Sequence, residues 1–205
     1  MIELFGRRTS INVQKVSWAL CELNLEFKWH EENGQIGKVN VENYEQINPQ
    51  LIVPTLNDNG IIISQSNSIV RHLYRKYSKI YKTTNIDEIA IADQWMEFQS
   101  TDLQINMTPV FWGLIRTAPE DRNHDLINKN ITLLNDKFII FNNFLKDRKF
   151  MINDTFGMAD ITLGVATYRY TSLPITHPKL NNLEEWYERI SSRDCFIKNI
   201  QGTFS

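Results

Sequence analysis

Cysteine is scarce: the 205-residue chain has two, Cys21 and Cys195, with neither a C-x-x-C pair nor a metal-ligand spacing between them. That excludes a disulfide-stapled miniature scaffold and a zinc module. It makes a reducing, cytoplasmic setting the simplest expectation, and Cys21, inside a helical stretch, is expected to be a small core residue. An excess of one charge is also missing: 22 Lys and Arg against 24 Asp and Glu leave a formal net charge of −2. A nucleic-acid partner would require a basic face for phosphates, so none is expected. Long apolar runs are absent, since none reaches the ~18 residues of a membrane span. The opening MIELFGRRTSINV lacks a basic start followed by a long apolar core, so neither a membrane segment nor a secretory leader is expected. The histidines, at 30, 72, 124 and 177, form no ligand spacing, and no metal is expected.

What is present is ordinary globular material, 42% hydrophobic, with two regimes of patterning. IELF (2–5) reads as a strand. From Asn12 onward Val13, Val16, Leu20 and Leu23 recur at helical spacing, and LEFKWH alternates as a second strand. Residues 31–50 are polar, with a short helix near 41–47. VPTLNDNGIII reads as a hairpin around NDNG, and SQSNSIVRHLYRKY as a helix. After the polar, aperiodic stretch 78–87 nearly everything is helical, with stretches near 86–115, 123–147, 157–171 and 183–191. The expectation is an α/β domain over 1–80 and an all-helical domain over 87–205.

Pro54 sits oddly inside the strand-like VPTL, because proline has no N–H for a central ladder. Either the strand is an edge, or it begins at Pro54 after an unusual peptide bond. A β-α-β unit followed by a hairpin and a helix is the thioredoxin-like order, and that likeness implies a cis bond between Val53 and Pro54. A cis bond would turn the Val53 backbone outward, where it can pair with an extended peptide.

Beyond this, LFGRRTSINVQKVSWALCELNLEF, INPQLIVPTL, SQSNSIVRHL, DQWMEFQSTDLQINMTPVFWGLIRTAPEDRN and FMINDTFGMADITLGVATYRYTSLPI together resemble, in order and spacing, the cytosolic glutathione transferases, and a bacterial branch in particular. The resemblance covers both domains. It implies a thioredoxin-like N-terminal domain, an all-α C-terminal domain, a homodimer, and glutathione as co-substrate for a small hydrophobic electrophile. It also implies roles for individual residues. Ser10 would hold the glutathione thiolate over a helix N-terminus, where the dipole also favours negative charge; its other reading is a plain helix cap. Thr9 is a rival hydroxyl. Asn12 matches an asparagine of a disulfide-reducing branch and is also a plausible cap. Ser66 would hold a carboxylate at a helix start. Gln65 stands where the family usually has glutamate, facing the ligand's ammonium group. Val53 and Pro54 would supply the backbone edge, and Lys38 and Gln50 lie where the glycyl carboxylate is expected, although both also read as surface residues. Phe111 and Arg116 are candidates for the second-substrate pocket, and an aromatic stripe at this spacing also reads as core. Three functions follow: transferase, glutathione-dependent disulfide reductase, or a non-catalytic binding protein on the same fold. In DTFGMADI, Gly157 takes the cap position with Asp160 at N3, and Phe156 and Ile161 are placed as a hydrophobic staple.

Overall fold

The computed structural model describes residues 1–31, 44–152 and 154–202. They divide into two compact units, which are Met1–Thr84 with a C-terminal helix, and Asn85–Arg193.

The first unit is built on the strands β1 (Ile2–Phe5), β2 (Phe27–His30), β3 (Thr55–Asp58) and β4 (Ile61–Ser64), in the order β2-β1-β3-β4. β1 runs parallel to β2 and antiparallel to β3, and β3 is antiparallel to β4. β1 sits centrally, and Ile2, Leu4 and Phe5 are buried. The β3–β4 hairpin turns at Asn59 and Gly60, both at positive φ (55° and 96°), the geometry that an Asn-Gly pair adopts most readily. Helix α1 (Ile11–Glu22) buries Val13, Val16 and Leu20 completely, as its periodicity requires, and α3 (Ser66–Tyr77) buries Ile69, Val70 and Leu73. The short α2 (Tyr44–Ile47) precedes the proline loop. Asp58 at the end of β3 is fully buried and accepts from His72 (2.6 Å), Lys76 (2.7 Å) and Tyr77 (2.6 Å), which fastens α3 to the sheet. These donors hold its carboxyl below the usual range although burial acts against them.

The last helix, α9 (Asp194–Asn199), departs from the sequence-based division at 87–205, because it packs on α1 within the first unit. Phe196 meets the edge of the buried Trp18 ring at 5.0 Å. Beside it, Cys21 and Cys195 form a disulfide, with their Cα atoms 5.7 Å apart. The expectation that Cys21 is a small core residue is therefore corrected, because it is half-exposed and disulfide-bonded. A partner 174 positions away leaves no trace in local periodicity.

The second unit contains α4 (Ile86–Phe98), α5 (Gln104–Phe111), α6 (His124–Phe144), α7 (Met158–Thr171) and α8 (Asn181–Ser191). Wide helical turns at Gln99–Leu103 and Trp112–Arg116 flank α5. The core is aromatic: Phe138 stacks on Tyr170 (3.7 Å), and Phe141 packs between Trp95 and Trp186. Helix α7 is buried along Met158–Thr167 and starts at Gly157, whose N–H donates to Asp160 (2.9 Å). The second oxygen of Asp160 accepts from Met151 N–H and the Trp186 indole, both at 2.9 Å. Phe156 meets the Phe150 ring (5.7 Å) and lies under the Arg193 guanidinium (4.0 Å).

Candidate functional site

In the first unit the loop between β1 and α1, the proline loop and the start of α3 converge. Gly6 explains how closely. Its φ is +140°, and a Cβ there would lie 2.5 Å from Val13 Cγ2 and 3.1 Å from Val53 Cβ, so only glycine lets the loop pass between helix and proline loop. The loop is further fixed by the Trp29 indole donating to the Gly6 carbonyl (2.8 Å) and by Gln14 Nε2 donating to the Arg8 carbonyl (3.0 Å).

The Val53–Pro54 bond is cis. β3 begins just beyond it at Thr55, so Pro54 lies outside the ladder, where its missing N–H leaves no gap. A buried polar network lies beneath this turn. Tyr44 OH donates to the Ile52 carbonyl (2.8 Å) and meets Thr55 Oγ1 (2.6 Å), and Asn48 Nδ2 donates to the same carbonyl (3.1 Å) and hydroxyl (2.9 Å). Asn48 Oδ1 accepts from the Gln50 N–H (3.0 Å). Sequence reading assigned Tyr44, Asn48 and Thr55 no role. The available signal was polarity at Asn48 and Thr55 on both sides of an otherwise apolar run.

Ser10 occupies the N-cap of α1 and its carbonyl accepts from Gln14 N–H (2.9 Å), but its side chain makes no capping hydrogen bond. Its hydroxyl has no partner among the described residues and stands half-exposed above the helix start. Thr9, in the preceding turn, is also half-exposed. Asn12 Oδ1 accepts from Ser66 Oγ (3.3 Å), which sets the first turns of α1 and α3 side by side and concentrates the positive ends of two helix dipoles in one place. Ser66 is the first residue of α3 and is buried. Gln65, just before it, is exposed with φ 70° and ψ 109°, a conformation a side-chain-bearing residue rarely adopts. Gln50 reaches the same end, its Oε1 3.5 Å from Ser64 Oγ. The structure thus brings Ser10, Asn12, Gln65 and Ser66 to adjoining helix starts, with Val53, Pro54 and Gln50 in the neighbouring loop. Lys38 lies outside the described residues.

Phe111 and Arg116 belong to the second unit. Phe111 is buried, with Arg169 over its ring at 4.1 Å and Arg116 at 5.3 Å. Arg116 also lies 5.5 Å from the exposed Trp112 ring. The ring is thus a core side chain roofed by two guanidinium groups.

A thioredoxin-like unit with a cis-proline loop beside two helix starts, followed by an all-helical unit, is the architecture of the glutathione transferases. The comparisons agree. The family models "Glutathione S-transferase, N-terminal domain" and "Glutathione S-transferase, C-terminal domain" match residues 4–80 and 103–194. Glutathione S-transferase GstB of Escherichia coli is 30% identical over 203 residues, covering 97% of each chain. The theta class enzyme of Xanthomonas axonopodis pv. citri, solved with glutathione bound, superposes with a TM-score of 0.92 at 29% identity, covering 100% of this chain and 99% of that one. Ure2p5 of Phanerochaete chrysosporium, crystallised with 1-(S-glutathionyl)-2,4-dinitrobenzene, shares the fold at 21% identity, with a TM-score of 0.85 and coverage of 98% and 94%. This chain belongs to the glutathione S-transferase family.

Proposed function

We propose that the chain conjugates glutathione to a small hydrophobic electrophile, with Ser10 as the donor that steadies the thiolate. The observation that carries this is the Ser10 hydroxyl, set at the N-cap yet not used for capping, and therefore available to a ligand. A sulfur placed there would receive that O–H and lie over the positive end of α1, and both favour the thiolate over the thiol. The γ-glutamyl carboxylate would take the Ser66 amide, and its hydroxyl once that turns from Asn12 Oδ1, the ammonium group would face the Gln65 amide oxygen, and the Val53 backbone would pair with the cysteinyl residue. Gln50 and Lys38 would serve the glycyl carboxylate. The thiolate attacks the electrophilic carbon, a C–S bond forms, and the leaving group departs with its electron pair. The thiol proton has by then passed to solvent. Binding contributes proximity, and the helix ends contribute activation. Arg116 is kept for the second-substrate side, and Phe111, buried beneath it, would act there only by holding that guanidinium.

A second reading is disulfide reduction with Asn12 as donor, and it draws on one observation. With Oδ1 turned to Ser66, the Asn12 Nδ2 is left to face a ligand. The discriminating experiment assays wild type, Ser10→Ala and Asn12→Ala with 1-chloro-2,4-dinitrobenzene and with hydroxyethyl disulfide. The transferase reading expects conjugation, with kcat lowered in Ser10→Ala by about 10²-fold or more, the order of losing one stabilising donor. Turnover of the disulfide alone, lost in Asn12→Ala, would replace it with the second reading.

We further place the chain in the cytoplasm as a homodimer with a detoxifying role. The exposed Ile61 and Ile62 on the edge strand β4 support the dimer, because apolar residues on an open sheet edge call for a cover.

A further inference from the structure

We infer that the Cys21–Cys195 disulfide is an exchange site for anionic low-molecular-weight thiols, separate from the Ser10 site and independent of the transferase reading. The bond does not lie sealed in a core. Both cysteines are half-exposed, and Cys21 lines a cavity of about 410 Å³ within the first unit. Phe27 and Trp29 provide an apolar wall, Asn199 an amide, and Arg8 and Lys198 the cations. Arg8 is held in place by Glu31 (2.7 Å) and by stacking 4.0 Å over Trp29, so its charge is largely answered. Lys198 is exposed and in no ion pair among the described residues. The volume suits a ligand of tripeptide size.

The cavity also sets which sulfur reacts. Cys21 faces it and Cys195 is not among its lining residues. Cys21 stands next to the last residue of the twelve-residue α1, at the carbonyl end, where negative charge is disfavoured. Cys195 stands three positions before Lys198 on α9, the spacing that brings side chains together on a helix face. A thiolate entering the cavity therefore attacks Cys21 Sγ. The new bond is a mixed disulfide on Cys21; the old S–S bond breaks, its electron pair leaves on Cys195 Sγ, and water supplies the proton. A second small thiolate attacks the outer sulfur of the mixed disulfide, releasing the small-molecule disulfide and Cys21 thiol. Two electrons pass to the protein pair, and a small-molecule disulfide drives the reverse. Reduction removes the covalent tie between α9 and α1, the helix that carries Ser10 and Asn12 at its other end.

The test uses the whole native chain, with reduced glutathione and 2-mercaptoethanol, which carries no charge beyond its thiolate, as probes and thiols counted by mass spectrometry. Millimolar glutathione is expected to reduce the native pair. Rising salt should slow glutathione more than 2-mercaptoethanol, a comparison that needs no variant. Lys198→Glu should slow glutathione about two- to fivefold more than it slows 2-mercaptoethanol, because the lost help to the Cys195 leaving group acts on both thiols and the lost steering acts more strongly on glutathione. Wild type quenched with acid during reduction by glutathione should carry its adduct on Cys21 rather than on Cys195, read by peptide mapping. A pair that resists millimolar glutathione in the native chain but yields once the chain is unfolded would overturn the proposal. Equal salt dependence for the two thiols, or an adduct shared equally between the two cysteines, would do the same. Conjugation activity is read separately, so failure here leaves the Ser10 assignment standing.

Discussion

Gln65 combines two features that pull apart. Its backbone lies at φ 70°, which costs on the order of 1–3 kcal/mol for a residue with a Cβ, and its side chain stands next to Ser66 at the proposed ligand site. Gln65→Gly should therefore raise unfolding stability by about 0.5–1 kcal/mol while weakening glutathione binding. Denaturant unfolding and calorimetry on the same sample check both, and a variant that loses stability would show that this backbone is not strained. Gln65→Glu should act in the other direction on the ligand, lowering the glutathione KM by about two- to tenfold, since a hydrogen bond to a charged pair exceeds one to a neutral amide by roughly 0.5–1.5 kcal/mol. An unchanged KM would place the ammonium group elsewhere. Much of this scale was legible in the sequence. Ser10, Asn12, Gln65 and Ser66 were singled out through the family resemblance, whereas local pattern alone read Ser10 and Ser66 as plain helix caps. The polar network of Tyr44, Asn48 and Thr55 was not, because it depends on which carbonyl the proline loop turns inward.

Helix starts and strand ends also decide how the elements respond to pH. Asp160 is fully buried at the start of α7, and burial pushes its carboxyl up to about 6 although Trp186, Met151 and Gly157 all donate to it. Between the ordinary 3.8 and about 6 the native state therefore binds more protons there than the unfolded chain, so this group's contribution to stability falls as pH rises through that window. Asp58 is the opposite case. Its carboxyl is lowered, so its contribution is present above the ordinary carboxylate range and is lost as pH falls through and below it. Asp160→Asn should remove the downward slope between pH 4 and 6 and destabilise by about 1–3 kcal/mol, because an amide leaves one buried N–H facing another donor. Urea unfolding across that range checks it, and an unchanged slope would assign the pH dependence to another group. Gly157 and Asp160 were readable as a cap pair because the family resemblance places a cap three residues before that aspartate. The wide turns around α5 were not, because proline at 109 marks an interruption without fixing its shape.

At the scale of the whole molecule, two features extend beyond any single element. The disulfide closes a loop of 174 positions, and in the chain-entropy account a loop of that length stabilises by as much as about 5 kcal/mol. Reduction, or Cys195→Ser, should cost ~2–5 kcal/mol and lower Tm by roughly 5–15 °C. A Tm unmoved by reductant would mean that α9 holds to α1 through Phe196 and Trp18 alone. The expected homodimer is checked by solution mass at micromolar concentration, where a monomer would contradict it and leave Ile61 and Ile62 without a cover. The fold class was legible because a switch from mixed to helical periodicity survives at low identity. The attachment of α9 to the first unit was not, because a short helix carries no address for its packing partner.

The most direct measurement is the titration of the bound glutathione thiol by ultraviolet difference absorbance, in wild type and in Ser10→Ala. A free thiol of this kind ionises near ~8.5, and a donor at a helix N-terminus lowers that value. The structure predicts that wild type ionises the bound thiol at least about one unit lower, equivalent to roughly 1.4 kcal/mol in favour of the thiolate, and that Ser10→Ala gives back most of that shift. Identical titrations in the two proteins would reduce Ser10 to a bystander at the helix start, and an unshifted thiol in wild type would contradict thiolate activation by this fold.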